Sequence, residues 1–247
     1  MSGTIVTYVG HATTLVERDG LRILTDPVLR DRVLFLRRQV SAPDFERIGE
    51  PDVVLVSHAH YDHLDIHSLR QVGRASAVVV PRGCAAYAQR AGAGEVLELD
   101  AGEGAEARGL MIEAVHADHI GARRLFSKPL PALGYLLPGS PSVWFAGDTD
   151  LHDGMAGLRG RVDIALIPVA GWGPEVGAGH LDPERAARAI EMIEPKVAIP
   201  IHWGTLAAPL YRIPDLGRPP REFAELVAAG GSATRVIVLD PGESAEI

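Results

Sequence analysis

The sequence predicts an α/β chain in which two face-to-face sheets carry helices on their outer sides, within one domain over residues 1–247. Two observations predict this. Apolar runs of strand length come in two blocks, each accompanied by helix-like segments, with no linker and no tandem repeat between them. Histidines and aspartates gather where the apolar runs stop, the pattern expected when strand ends feed loops along one sheet edge.

The elements follow in order. TIVTYV, ATTLVE and LRILT alternate apolar and polar residues and are divided by Gly-His and Asp-Gly turns, so they read as three short strands. Residues 30–50 read as an irregular, partly basic excursion. Asp52 to Val56 is a buried strand that stops in the polar loop SHAHYDHLD, and DIHSLRQV follows as a short helix. SAVVV is a strand, CAAYAQRAG a helix and AGAG a break. VLEL and GLMIEAVHA give two more strands, and residues 117–132 form a loop containing Arg and Pro. LGYLL, SVWFAGDTD and VDIALIPVAG resume the sheet. LDPERAARAIEMI is a helix, because Asp182 can cap it and Pro183 suits its first position. VAIPIHWG runs from a buried strand into a loop, and a helix over about residues 220–229 and the strand TRVIVL complete the pattern.

Composition narrows the function. The net charge of −8 and the small size of the basic clusters (Arg37-Arg38, Arg123-Arg124) argue against a nucleic-acid partner. The single cysteine, Cys84, excludes an intramolecular disulfide or a thiolate cluster and reads as a small buried hydrophobe. The opening residues lack a basic stretch followed by a long apolar run, and no segment reaches the ~18 apolar residues of a membrane span, so a cytoplasmic chain with no membrane partner is expected.

His58, His60, Asp62 and His63 crowd into one loop, and His116, Asp148 and His202 each follow an apolar strand. Imidazole and carboxylate suit zinc and its neighbours, and the absence of thiolate ligands argues against a purely structural zinc site. Seven such donors suffice for two ions if one carboxylate bridges them. Two ions ~3.5–4 Å apart can share a hydroxide, which their charge makes available at neutral pH.

HAHYDH resembles the HxHxDH signature of the metallo-β-lactamase superfamily, with His116, Asp148 and His202 in that superfamily's order. The segments YVGHATTLVE, ILTDPV, FAGDTD, GHLDPERA and PIHWGT resemble the branch of N-acylphosphatidylethanolamine phospholipase D and the ascorbate-6-phosphate lactonases. The resemblance covers nearly the whole chain. It implies a four-layer αββα sandwich and a binuclear hydrolase that uses a metal-bridging hydroxide. It implies one metal on His58, His60 and His116, a second on Asp62, His63 and His202, and Asp148 bridging. Two divalent ions are expected, zinc first, with manganese or iron as alternatives at the carboxylate-containing site. Flavodiiron relatives carry Glu where His60 stands, which weighs against a redox role.

Further residues are assigned by context. His180 precedes the helix at Asp182 and is expected to orient substrate or protonate the leaving group. His11 sits in a Gly-His turn, and its resemblance to the family implies a position on the substrate side; Asp26 is expected to orient a ligand histidine. His67, His119 and His152 are read as surface or loop residues, His119 being the first exception to consider. Arg123 and Arg124, with Lys128, are expected to hold a phosphate, since guanidinium pairs bidentately with phosphoryl oxygens. The loops at 30–50, 117–132 and 170–180 are expected to line the site. The expected substrate is a small molecule, a phosphodiester or a phosphorylated lactone or ester. A metal-dependent nuclease, a non-catalytic metal-binding protein and a redox diiron protein are the alternatives. Self-association is compatible with the sequence, and no seam in it settles the matter.

Overall fold

A computed structural model describes residues 3–74, 76–123, 128–173, 176–209 and 215–247. The first half contains β1 (Ile5–Gly10), β2 (Thr13–Arg18), β3 (Leu21–Thr25), β4 (Arg32–Val33), β5 (Leu36–Arg38) and the short helix α1 (Phe45–Ile48). It continues with β6 (Val53–Leu55), α2 (Ile66–Val72), β7 (Ala77–Pro81), α3 (Ala85–Ala91), β8 (Glu95–Leu99) and β9 (Gly104–Ala107). Next come β10 (Leu110–Ile120), β11 (Pro131–Leu137), β12 (Val143–Phe145), a 3-10 helix at Asp153–Leu158 and β13 (Ile164–Pro168). The remainder is α4 (Pro183–Ile193), β14 (Val197–Ile201), β15 (Leu206–Ala207), α5 (Arg218–Ala229), β16 (Arg235–Val236) and β17 (Ser244–Glu246).

Two seven-stranded sheets form, in the orders β17-β1-β2-β3-β6-β7-β8 and β16-β14-β13-β12-β11-β10-β9. The alternation of a strand explains how both faces are buried. In the first sheet Val53, Leu55, Ala77 and Val79 point into a core shared with Tyr135, Trp144 and Phe145 of the second. Val54, Val56, Val78 and Val80 point outward, against Leu69 and Val72 of α2 and Ala88 and Ala91 of α3. The second sheet is covered by α4 and α5 through Ala186, Ile190, Ile193, Phe223 and Val227. Helices therefore flank two packed sheets, the αββα sandwich. Asp182 caps α4 by accepting from the Arg185 N–H, with Pro183 in the first turn, as the sequence indicates.

Strand direction positions the site. β3, β6 and β7 are mutually parallel, and so are β12, β13 and β14. Their C-terminal ends collect on one edge, delivering Asp26, Ser57-His58, Asp148 and His202 immediately beyond β3, β6, β12 and β14. The two sheets are joined there: Tyr135 Oη donates to the Val56 carbonyl at 2.8 Å and Leu133 N to the Ser57 carbonyl at 2.9 Å. Gly147 (φ +63°) lets the 146–150 loop cross close by, since a Cβ there would lie 2.5 Å from Ser57 Cβ.

Residues 30–50 are more ordered than the sequence suggests. β4, β5 and β15 form a small third sheet over an apolar cluster of Val28, Val33, Leu36, Leu206 and Ala208, with Tyr61 packed against it. Its partner strand lies some 170 residues away, so no local signal marks it. Conversely, TRVIVL is strand only at Arg235–Val236, with one further bond from Ile237 N to the Ala198 carbonyl.

Candidate metal centre

Asp148 lies at the middle of a cluster of imidazoles. Its Oδ2 is 3.1 Å from His63 Nε2, 3.4 Å from His180 Nε2 and 3.9 Å from His58 Nε2, and its Oδ1 is 3.3 Å from His202 Nε2. Oδ1 is buried and makes no hydrogen bond. Burial pushes the Asp148 carboxyl up, but His202, His63 and His180 outweigh it and hold it well below the usual carboxylate range.

Two donor groups flank this carboxylate. In one, His58, His60 and His119 bring ring nitrogens within 4.8 Å of one another. His58 Nε2 faces His60 Nδ1 at 2.9 Å, and His119 Nε2 faces the same nitrogen at 3.2 Å. The other group is His11, Asp62, His63 and His202, with His63 Nε2 and His202 Nε2 3.2 Å apart. Burial lowers His58 well below its ordinary value, His60 to about 4 and His202 to about 3, so these rings are neutral near pH 7. Neutral rings with lone pairs converging at such distances repel unless a proton or a cation lies between them. The donor set and the orphaned Asp148 oxygen therefore fit divalent metal ions.

Backbone and carboxylate contacts aim the rings. His202 adopts φ +63°, its N donates to the His11 carbonyl at 2.7 Å, and its Nδ1 donates to the Ala170 carbonyl at 2.6 Å, which leaves Nε2 facing the cluster. His11 (φ +55°) holds its N–H on Thr205 Oγ1 at 2.7 Å and places Nε2 3.1 Å from Asp62 Oδ2. Burial alone would raise the Asp62 carboxyl, but His11 and His63 hold it below the usual range. Burial would likewise depress His63, but Asp148 and Asp26 raise it well above its ordinary value. His180 is raised in the same manner, the Asp148 carboxylate outweighing burial.

Most residues singled out from the sequence meet here: His58, His60, Asp62, His63, Asp148, His202, His180 and His11, with Asp26 hydrogen-bonded to His63 from behind. His116 does not. It is exposed and packs on His152, ring centroids 5.0 Å apart. β10 buries Leu110, Ile112 and Ala114 and then Ala117, and its pairing with β11 shifts register between His116 and Ile120, with His116 exposed before the shift and His119 half-buried within it. His119, expected in a loop, thus stands where His116 was placed; its position three residues further on in HADH is the only sequence signal for it.

Arg123 also corrects its expectation. It is buried at 7% exposure, donates to the carbonyls of Ala59 (2.8 Å) and Leu64 (2.6 Å), and lies 3.9 Å over the Tyr61 ring. Its guanidinium braces the histidine-rich loop from inside and is not presented to a substrate. Arg124 lies outside the described residues, and Lys128 is exposed. Cys84 is buried and burial pushes its thiol up to about 12, as befits an inert core residue. His67 is exposed on α2. Among the described residues, no helix is long and apolar enough to cross a membrane.

Comparison with known proteins agrees with this geometry. Residues 21–203 match the beta-lactamase superfamily domain. A metal-dependent hydrolase of Methanopyrus kandleri is 35% identical over 98% of this chain and 99% of its own length. An N-acyl-phosphatidylethanolamine-hydrolyzing phospholipase D of Caenorhabditis elegans is 30% identical over 83% of this chain, which spans 65% of that protein. Among solved structures, a metallo hydrolase of Ignicoccus hospitalis superposes with a TM-score of 0.74 at 25% identity, covering 100% of this chain and 99% of its own. With motif, fold and donor cluster in agreement, this chain belongs to the beta-lactamase superfamily, on the branch that includes metal-dependent hydrolases and N-acyl-phosphatidylethanolamine-hydrolyzing phospholipases.

Proposed function

We propose that this protein is a binuclear metal-dependent hydrolase of ester or phosphodiester bonds, phosphorylated lactones included, with zinc as its first-choice metal. The observation that carries the reading is Asp148, a buried carboxylate with one unpaired oxygen between two groups of converging ring nitrogens. His58, His60 and His119 would hold one ion, Asp62, His63 and His202 the other, and Asp148 both. When bound, two such ions supply Lewis acidity and lower the pKa of water from ~15.7 toward ~7.

The chain's own groups supply the rest. His180, partly exposed and raised by Asp148, holds a proton at Nε2 that it can give to a departing alkoxide. His11 keeps Asp62 charged and oriented. Phe35 and Trp172 meet edge to face, ring centroids 5.5 Å apart, and remain partly exposed. Both sit on segments tied to the His202 region, through β5–β15 pairing and the bond from Ala208 N to the Trp172 carbonyl. They offer an apolar surface to the non-reacting part of a substrate. With Arg123 committed to the loop, phosphate recognition would fall to the metal ions and His180.

Elemental mass spectrometry on protein purified without chelator tests the centre. About two equivalents of metal per chain, with turnover of a bis(aryl) phosphate or a lactone that Asp148→Ala abolishes, is the expected result. A chain that neither carries metal nor takes it up would overturn the proposal.

A further inference from the structure

His119 Nδ1 points away from the cluster and donates to the Gly179 carbonyl at 2.8 Å. A carbonyl only accepts, so Nδ1 must carry the proton of the neutral ring and Nε2 keeps its free lone pair toward His60. The tautomer of His119 thus depends on where the Gly179 carbonyl sits. That residue lies in a loop, at φ +81°, and a Cβ there would come within 3.0 Å of His119 Nδ1. No strand or helix holds it.

Its N–H is instead held by Asp150, whose Oδ2 accepts from Gly179 N at 3.1 Å. The other oxygen, Oδ1, accepts from Leu151 N at 2.8 Å and from Arg185 Nη1 at 2.6 Å. Arg185 stands in the first turn of α4 and is fixed in turn by Asp182, the cap of that helix, which accepts from Arg185 N at 2.8 Å and from Nε at 3.1 Å. The next residue after Gly179 is His180, 3.4 Å from Asp148. The backbone of Gly179 therefore connects the start of α4 to His119 and His180, two of the partly exposed imidazoles of the cluster.

We propose that Asp150 and Arg185 are positioning residues that act through the placement of the Gly179 backbone to fix the tautomer and ring orientation of His119, and so the affinity of the metal position that His119 shares with His58 and His60. The affinity part of this inference rests on the metal-centre reading above; the tautomer part does not. Neither residue is a metal donor. Asp150 stands two hydrogen bonds behind the ring and Arg185 three, extending the support that groups behind ligand histidines commonly give.

The test uses the full chain, in its metal-free form and during zinc titration. Long-range proton–nitrogen correlation spectra of metal-free wild type should show His119 as a single tautomer, protonated at Nδ1. In Asp150→Ala the same ring should become a mixture of both tautomers, and Asp150→Asn, which can still accept from the Gly179 N–H, should restore most of the wild-type pattern. Zinc affinity, read by chelator competition, should fall about 10- to 100-fold at one of two positions in Asp150→Ala. It should fall no further when Asp150→Ala is added to His119→Ala. If Asp150→Ala fails to fold, Arg185→Gln, altered at a partly exposed helix position, reads the same two quantities. An unchanged His119 tautomer in the folded variants overturns the proposal. A wild-type chain that binds no zinc sinks the metal-centre reading instead, and the tautomer spectra still decide the positioning role.

Discussion

Asp26 accepts a 2.6 Å hydrogen bond from His63 Nδ1 while its carboxylate also holds Ser57 through N (2.6 Å) and Oγ (2.5 Å). The side chain is fully buried. One carboxylate thus fixes the end of β6 and sends His63 Nε2 toward Asp148. Asp26→Asn keeps the shape but removes the charge that supports a proton on Nδ1. Metal affinity should fall about 10- to 100-fold with the fold intact, measured by chelator competition. Unchanged affinity would make Asp26 a brace of the strand end and nothing more.

The displacement of His116 by His119 gives a direct contrast. His119→Ala should lose about one metal equivalent and most of the activity. His116→Ala should keep both, because that ring sits outside the cluster against His152. Elemental analysis of the two variants checks it; the opposite outcome would mean that β10 runs in a different register.

Arg123→Ala should act on stability before kinetics. It strips a buried donor from the carbonyls of Ala59 and Leu64 and removes the stack on Tyr61. Leaving buried acceptors unpaired costs about 3 kcal/mol, or roughly 10 °C in Tm for a chain of this size. Calorimetry reads the loss. A Michaelis constant that rises only for phosphorylated substrates, with Tm unmoved, would return Arg123 to the substrate.

The metal-free chain should lose stability in acid through its cluster. In the folded chain His60 stays neutral down to about 4 and His202 to about 3, whereas unfolded histidine takes its proton near 6.5. Between those values the unfolded state binds more protons, so stability falls as pH drops from 6.5 toward 4. His63, raised by Asp148 and Asp26, works in the opposite sense: its contribution is full below 6.5 and is lost as pH rises through its folded value. His60→Gln should flatten the acid limb of Tm against pH. A limb as steep as that of the wild type would show that His60 is not the group resisting protonation.

Much of the fold was legible because its signals are local. The α4 start at Asp182-Pro183, the buried strands before Ser57 and His202, and the density of donors in HAHYDH are each visible within a dozen residues. Features created by distant partners were hidden. The register shift that carries His119 into the cluster depends on how β10 meets β11. The β5–β15 pairing needs two remote segments. Arg123 reads as a surface cation until the loop it braces folds around it.

The bonds from Tyr135 to Val56 and from Leu133 to Ser57 have a mechanical consequence. They key one slab of the sandwich into the other directly beneath His58, so the slabs cannot slide past each other at this edge without breaking them. The donors are split across the joint, with His58 to His63 on one side and His119, Asp148 and His202 on the other. Alignment of the two slabs therefore sets the bite of the donor shell, and any force or substitution that shears the core will register first as a mismatch between its jaws.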